Sequence, residues 1–213
     1  VFVMSVTPYV EVMRNGGFVL WPQQWTFAAY TEIFSSKRIP DTLKVTATVT
    51  IFGTLLNLMA TSLLAYSLSK SFVPGRTIVL LAIIFTMLFN GGMIPTYLVV
   101  KEMGLYNTIG ALIFPGLVST FNMLIMKTYF QNLPPELEEA AKVDGCGDLT
   151  TFIRIVLPLS APIMATIGLF YGVTHWNSFF PGIMYISDKS LQPIQVVLRN
   201  MIQTPYVLSL IHI

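Results

Sequence analysis

Residues 139–158 read EAAKVDGCGDLTTFIRIVLP and form a polar island in an apolar chain. Uncharged segments of membrane-spanning length lie on both sides of it, at residues 103–126 and 155–187. A hydrophobic chain that gathers its charges in one internal loop is expected to present that loop to a soluble partner. The pattern therefore predicts membrane-spanning helices interrupted by a docking loop.

The composition of the whole chain also predicts an integral membrane protein. Of its 213 residues, 54% are hydrophobic and 10% are charged, whereas soluble domains usually carry about 25% charged residues. The net charge of +2 and the absence of a basic run do not favour nucleic-acid binding. The single cysteine, Cys146, excludes an intrachain disulfide framework and a cysteine-based zinc site. It is interpreted as a small loop residue.

Four windows of the sequence are long enough to cross a bilayer core, which needs about 20 apolar helical residues. Because backbone polar groups in lipid must be satisfied internally, each window is predicted to be a helix. The predicted complete spans are residues 42–68, 77–97, 108–130 and 155–180. Asn90-Gly91-Gly92 and Pro95 are expected to break or kink the outer end of the second span.

Both ends of the chain are predicted to be incomplete. Residues 1–6 are too short to span and are interpreted as the end of a helix that begins upstream. Residues 7–41 are polar and contain tryptophans that suit a membrane–water interface, which predicts an extracytoplasmic loop with short helical pieces. Residues 192–204 are predicted to be a further extracytoplasmic helix or the approach to a final span. A single transmembrane domain thus covers residues 1–207, whereas residues 208–213 match a translated sequencing adapter and are expected to be non-native.

The polar island and the residues before it are predicted to form two short helices. Pro134-Pro135 suits the start of the first helix, and Glu136, Glu138 and Glu139 place negative charge in its first turn. The helix is expected to present one small, mostly apolar face, formed by Leu137, Ala140, Ala141 and Asp144.

A glycine turn is predicted to separate the two helices. Gly145 is placed to take the left-handed conformation that ends a helix. Asp148 is predicted to cap the second helix, which carries Phe152 and Ile153 and reaches Pro158.

The spacing of these residues resembles the EAA loop of the permease subunits of ABC importers, in its sugar-importer version. The matching positions are Glu139, Ala140, Ala141, Asp144, Gly145, Phe152, Ile155, Leu157 and Pro158. Cys146 departs from the pattern, since the family usually has alanine there, but both side chains are small. Carbohydrate-importer permeases of the maltose type are similar over residues 41–201, notably at residues 95–97, 104–108, 132–137 and 176–181.

The resemblance implies an all-α type I permease bundle, of which this chain holds four complete spans and a partial first one. It implies that residues 132–158 are a cytoplasmic coupling loop that docks on an ABC ATPase dimer. The other implied partners are a second homologous permease, an extracellular solute-binding protein, a sugar substrate and the bilayer of a bacterial cell membrane. Orientation also follows from the resemblance, because the Lys and Arg counts on the two sides do not decide it.

Several residues of the first predicted span are candidates for the wall of a translocation path. Thr46, Thr50, Gly53, Asn57 and Thr61 share one face of the first complete span. Such a face is predicted to be a packing seam, with a path wall as the alternative. For Asn57 the two readings are equally favoured, because a buried amide needs a partner.

Three consecutive residues of the fourth span are further candidates for the translocation path. His175 is an ionisable group within a membrane segment, for which packing or gating is favoured over contact with the solute. Trp176 could stack on a sugar ring, although aromatic residues at this depth more often pack or anchor at the interface. Asn177, the next residue in the sequence, is the third candidate.

The sequence contains no catalytic motif. It lacks G-x-x-x-x-G-K-[ST], H-E-x-x-H and G-x-S-x-G, so ATP hydrolysis is assigned to another chain, and no metal or cofactor is predicted. A permease for an amino acid or a peptide is the alternative within the same family. A secondary transporter is less favoured, since it would carry intramembrane carboxylates or internal repeats, and the predicted spans contain no Asp or Glu.

Overall fold

The computed structural model describes residues 2–17, 19–35 and 38–211, which form helices and no strand. In chain order the helices are α1 (Phe2–Ser5), α2 (Tyr9–Arg14), α3 (Ala28–Ser35), α4 (Arg38–Ser69), α5 (Arg76–Leu88), α6 (Met93–Glu102), α7 (Gly110–Ile113), α8 (Thr120–Gln131), α9 (Pro135–Val143), α10 (Asp148–Thr151), α11 (Leu157–Leu159), α12 (Ala161–Trp176), α13 (Phe180–Tyr185) and α14 (Ile194–Ile211). A 3-10 turn (Phe114–Gly116) follows α7, and a π-helical turn (Phe152–Val156) joins α10 to α11. The predicted all-helical class is confirmed.

Within the described ranges, α4 is the one helix long and apolar enough to cross a membrane without a break. Its 32 residues rise about 48 Å at 1.5 Å per residue, which exceeds the thickness of a bilayer core. The first predicted span, residues 42–68, lies inside it. Of the predicted small-residue stripe, Thr46, Gly53, Asn57 and Thr61 are buried and Thr50 is half-buried, so the stripe faces the interior of the bundle.

Each of the other three predicted spans is a bent pair of helices rather than one straight helix. The bends are 119° between α5 and α6, 55° between the segment 110–116 and α8, and 82° between the segment 148–159 and α12. The described residues therefore contain four spans only if each bent pair counts as one. The break in the second span was predicted, whereas the bends in the third and fourth spans were not.

The breaks have local chemical causes. The predicted interruption after Leu88 is confirmed: Asn90 Oδ1 accepts the N–H of Gly92 at 2.9 Å, which replaces a helical hydrogen bond. Pro115 lies in the 3-10 turn of the second bent pair, and Pro162 lies in the first turn of α12. Because proline has no N–H to donate, a helix is favoured to break or begin at these positions.

The main hydrophobic core lies where α4, α8, α12 and the π-helical turn meet. Its fully or nearly fully buried members are Ala65, Leu68, Met123, Met126, Phe130, Phe152, Val156, Ile167 and Tyr171. Phe152 and Val156 belong to the predicted coupling loop. The loop is therefore anchored in the same core as the spanning helices, so a movement of the loop disturbs their packing.

The two ends match their predictions only in part. The predicted extracytoplasmic segment contains α2, α3 and the start of α4, and it exposes Trp21 and Trp25 with ring centroids 6.0 Å apart. Phe2–Ser5 form α1 and Val1 lies outside the described residues, so a helix that begins upstream stays a prediction. Residues 192–204 fall within or just before α14. His212 and Ile213 lie outside the described residues, so the non-native tail stays a prediction.

Candidate functional site

The first helix of the predicted coupling loop is α9, and its two ends are formed as expected. Pro135 is its first residue, and Glu136 and Glu138 lie in its first turn. Gly145 follows with φ of 77°, and its N–H donates to Lys142 O at 3.0 Å. The N–H of Cys146 donates to Ala141 O at 2.9 Å. This pair of bonds is a Schellman motif, which holds the chain at a set angle as it leaves the helix.

Only part of the predicted contact face of α9 is exposed in the folded protein. Leu137, Ala140 and Asp144 are exposed, but Ala141 is buried beneath the helix. Val143, which the sequence did not single out, is 89% exposed. The helix packs on the bundle along the side that carries Glu138 and Ala141, because residues three apart share a face. The face available to a partner is thus Leu137, Ala140, Val143 and Asp144, which we call the docking face.

The second helix of the loop begins one residue earlier than predicted. Asp148 is the first residue of α10 rather than its cap; Gly147 holds the capping position without a side-chain hydrogen bond. Asp148 lines a small cavity of about 190 Å³ together with Tyr66 and Lys70. Its charge still favours the helix by its position in the first turn.

A contact between the loop and the end of α4 was not foreseen from the sequence. Lys70 forms an ion pair with Glu138 of α9, and the two side chains are only 15% and 19% exposed. Lys70 Nζ also lies 4.5 Å from the ring centroid of Tyr66. The Tyr66 ring lies 4.8 Å from that of Phe152. We call these four residues the loop clamp, since it joins α4 to both parts of the coupling loop.

The predicted loop residues fall into two groups, one exposed and one packed against the bundle. On the exposed side lie Glu139, Ala140, Asp144, Gly145 and Pro158. On the anchored side, buried or half-buried, lie Ala141, Phe152, Ile155 and Leu157. The first set is accessible to a partner and the second set attaches the loop to the bundle.

A cavity of about 1170 Å³ lies between α4, α8, α12 and α13. Its polar lining residues are Asn57, Ser119, Asn122, Thr174, His175, Asn177 and Ser178. Its aromatic lining residues are Phe121, Phe170, Tyr171, Phe179, Phe180 and Tyr185. No Asp, Glu, Lys or Arg is among the described residues of the wall. The lining therefore offers neutral hydrogen-bonding groups and apolar ring faces.

Asn57 and His175, predicted separately as path residues, meet in the wall of this cavity. Asn57 Nδ2 lies 3.1 Å from His175 Nε2 and 3.3 Å from Gly116 O. Since the amide donates, His175 Nε2 accepts in this arrangement, and the ring proton is assigned to Nδ1. Gly53 makes the approach possible, because a Cβ there would lie 2.7 Å from His175 Nε2. Asn57 Oδ1 is buried and has no hydrogen-bond partner among the described residues.

The other two predicted path residues differ from each other. Asn177 lines the cavity, and its Nδ2 donates to Val173 O at 2.9 Å. Trp176 is 43% exposed and is not among the lining residues described.

Tyr171 is a wall residue that the sequence did not single out. Its hydroxyl shares a hydrogen bond with Thr61 Oγ1 at 2.7 Å and accepts the N–H of Ser119 at 2.9 Å. It therefore joins α12 to α4 and to the start of α8. Its position one turn before His175 on the same helical face was the available signal.

The Tyr171→Phe substitution is expected to lower the free energy of unfolding by about 1–2 kcal/mol, because it leaves a buried N–H and a buried hydroxyl without their shared partner. The Tyr129→Phe substitution is the matched control, since its hydroxyl makes one exposed bond of 3.3 Å to Leu159 O. Thermal unfolding of the purified full-length protein in detergent compares them. Equal midpoints for the two variants would contradict the assigned role of Tyr171.

The described residues contain no group of three or more His, Cys, Asp or Glu side chains that could hold a metal ion.

Comparison with known proteins gives a consistent set of matches. The family described as "Binding-protein-dependent transport system inner membrane component" matches residues 71–212. The chain is 47% identical over 193 residues to the polygalacturonan/rhamnogalacturonan transport system permease protein YtcP of Bacillus subtilis, covering 91% of this chain and 68% of that protein. It is also 47% identical over 188 residues to protein LplC of the same organism, covering 88% of this chain and 64% of LplC.

A solved structure is similar as well. It is a bacterial ABC transporter involved in the import of the acidic polysaccharide alginate, and one of its chains superimposes with a TM-score of 0.89 at 32% identity. The match covers 93% of this chain and 71% of that one. The chain thus spans about two thirds of the length of these relatives.

Proposed function

The chain belongs to the family of binding-protein-dependent transport system inner membrane components, and we propose that it carries sugars or oligosaccharides as the permease subunit of an ATP-driven importer. It is a non-catalytic transport component, as its relatives are permeases. ATP hydrolysis belongs to a separate ATPase dimer. A second permease completes the path through the cell membrane, and an extracellular solute-binding protein delivers the solute.

One observation carries this proposal: α4 contacts both the coupling loop and the cavity. Lys70, the residue that directly follows α4, pairs with Glu138 of the loop, and Asn57 in the helix lies in the cavity wall. A continuous helix transmits displacement along its axis more directly than the bent pairs do. A movement of the docking face would therefore reach the cavity through α4 as well as through α12.

The proposed cycle follows from this connection. The docking face sits in a cleft of the ATPase, and Glu139 and Asp144 meet basic groups at its rim. ATP binding closes the ATPase pair and displaces α9. The Schellman turn at Gly145 and the loop clamp pass this displacement to the spans, which switch the cavity between outward- and inward-facing states.

The chemistry of the cavity supports a sugar as the solute. Sugar rings present apolar faces that stack on aromatic side chains, and their hydroxyls pair with amides and hydroxyls such as Asn122 and Ser119. An amino acid or a peptide carries an ammonium group, and the described lining has no carboxylate to balance it. The names of YtcP and the alginate transporter, which concern polysaccharides, agree with this choice.

The loop clamp gives a direct test of the coupling. In the complete importer, Lys70→Glu is expected to reduce sugar uptake about tenfold, because two carboxylates then face each other in a largely desolvated contact at a cost of about 1–2 kcal/mol. The double exchange Lys70→Glu with Glu138→Lys is expected to restore most of the uptake. Uptake of labelled oligosaccharide and the number of ATP molecules hydrolysed per sugar are the measurements.

Lys44 on α4 offers a matched control. Lys44→Glu breaks the pair with Asp41, whose side chains are 77% and 60% exposed, and should leave uptake nearly unchanged. Similar losses in Lys44→Glu and Lys70→Glu would refute the role of the clamp. Uptake of peptides but not of oligosaccharides by the unmodified importer would refute the proposed solute.

A further inference from the structure

A second cavity adjoins the coupling loop and is lined by charged groups. It has a volume of about 390 Å³ and lies between α9, the end of α8 and the connection from α4 to α5. Its charged lining residues are Lys70, Arg76, Glu138, Glu139 and Lys142. We call it the basic cavity, because its lining has more positive than negative side chains.

The positive charges of this cavity exceed its available negative charges. Lys70 and Glu138 neutralise each other in the loop clamp. Arg76 and Lys142 then remain against Glu139, and neither forms an ion pair within the described residues. Lys142 Nζ lies over the ring of Phe72, 5.3 Å from its centroid. The cavity thus has a surplus cation.

Arg76 gives the most specific sign of a missing ligand. Its Nε is fully buried and has no hydrogen-bond partner among the described residues. A desolvated guanidinium N–H without an acceptor is unfavourable. Lys127 lies close enough to Arg76 for the two positive charges to interact, and its charge adds to the positive electrostatic potential that favours an anion. An oxygen-rich anion would satisfy the N–H and balance the charge together.

The surroundings of the cavity show which kind of anion fits. Arg76 is the first residue of α5, an apolar helix with no buried residue. Leu80 and Ile83 continue the helical face of Arg76 and pack against the main hydrophobic core, so the surface of α5 that is open to a ligand is its outer side. Ile78 and Leu81 on the outer side are 74% and 62% exposed. A ligand with an anionic head and apolar chains matches this arrangement, whereas a soluble carboxylate would leave the apolar surface uncovered.

We propose that the basic cavity binds the phosphate group of an anionic phospholipid. Arg76 donates to the phosphate oxygens, Lys142 supplies a second positive charge, and the acyl chains lie along α5. Such a lipid would sit against α9 and so stabilise the position of the coupling loop. This site is separate from the solute cavity, and the inference does not depend on which solute is carried.

The test uses the complete importer, purified in mild detergent from the full-length gene. Native mass spectrometry counts bound lipid after exposure to phosphatidylglycerol, to phosphatidylcholine or to inorganic phosphate. The unmodified protein is expected to retain about tenfold more phosphatidylglycerol than Arg76→Gln, since a charge-assisted hydrogen bond is lost. Arg76→Lys keeps the positive charge but loses the planar guanidinium with its several N–H donors. It should retain an intermediate amount of phosphatidylglycerol.

Lys101→Gln is the matched control, because it removes one exposed positive charge in the last turn of α6, at the far end of the bent pair that begins at Arg76. It should retain as much phosphatidylglycerol as the unmodified protein. Equal retention by the unmodified protein and Arg76→Gln, or an equal loss in Lys101→Gln, would overturn the proposal. Displacement of the lipid by inorganic phosphate would overturn it in favour of a small-anion site. Loss of the ATPase from Arg76→Gln with lipid retention unchanged would instead assign the cavity to ATPase docking.

Discussion

Replacing Gly145 by valine is expected to reduce sugar uptake by the complete importer about tenfold or more, while the subunit still inserts in the membrane. Gly145 has φ of 77°, and no atom lies within 4 Å of where its Cβ would be. The cost is therefore one of backbone conformation alone, about 1–2 kcal/mol for an ordinary residue and more for a β-branched one. The chain can relieve it by unwinding the last turn of α9, which would displace the docking face.

The same loop supplies the control for this experiment. Gly147 has φ of −75° and ψ of 160°, a conformation open to any residue. Its Cβ position is also free of contacts. Gly147→Val should therefore transport nearly normally, and Gly145→Asn should be intermediate because asparagine tolerates the left-handed region. The measurements are uptake of labelled oligosaccharide and ATPase activity stimulated by the binding protein; equal uptake by the two valine variants would disprove the role assigned to the turn.

Replacing Gly53 by alanine is expected to lower the free energy of unfolding by about 2–3 kcal/mol, the upper part of the range for overpacking a close contact. The new Cβ would lie 2.7 Å from His175 Nε2 and 2.9 Å from its Cδ2. The ring cannot move away easily, because it is 6% exposed and bonded to Asn57. The α4–α12 contact would have to open, with loss of that hydrogen bond.

Gly172 lies on α12, the other helix of the α4–α12 contact, and its replacement by alanine is the comparison for Gly53→Ala. A Cβ there would lie 3.6 Å from Thr54 Oγ1, an ordinary van der Waals distance, so Gly172→Ala should change stability little. The double variant Gly53→Ala with His175→Ala should regain part of the loss, since the clash is removed. Thermal unfolding of the purified full-length protein measures all three. A similar midpoint for Gly53→Ala and Gly172→Ala would show that the close approach at Gly53 is not restrictive.

Features that depend on neighbours in the chain could be predicted well. The helical class, the start of α9 at Pro135 and the turn at Gly145 were all expected and are present. Each depends on the backbone chemistry of a few consecutive residues. The break before Pro95 was predicted for the same reason.

Features that depend on which surfaces meet were predicted poorly. The sequence predicts Ala141 on the contact face of α9, but the residue is buried because the fold turns that side of the helix onto the bundle. Asp148 was assigned as a cap, whereas Gly147 takes that position. The size of each bend was also beyond local reasoning, because a proline or glycine permits a break without setting its angle.

The sequence by itself, through its composition and its resemblance to importer permeases, determined that this chain is a helical membrane permease with an exposed helix that ends at a glycine turn. Those properties follow from composition, helix signals and a motif of closely spaced residues. Only the tertiary structure decided that Lys70 pairs with Glu138, 68 residues away, and that Asn57 meets His175, 118 residues away. Hydropathy and periodicity specify that a side chain is buried, but its partner depends on the angle and register at which two helices pack.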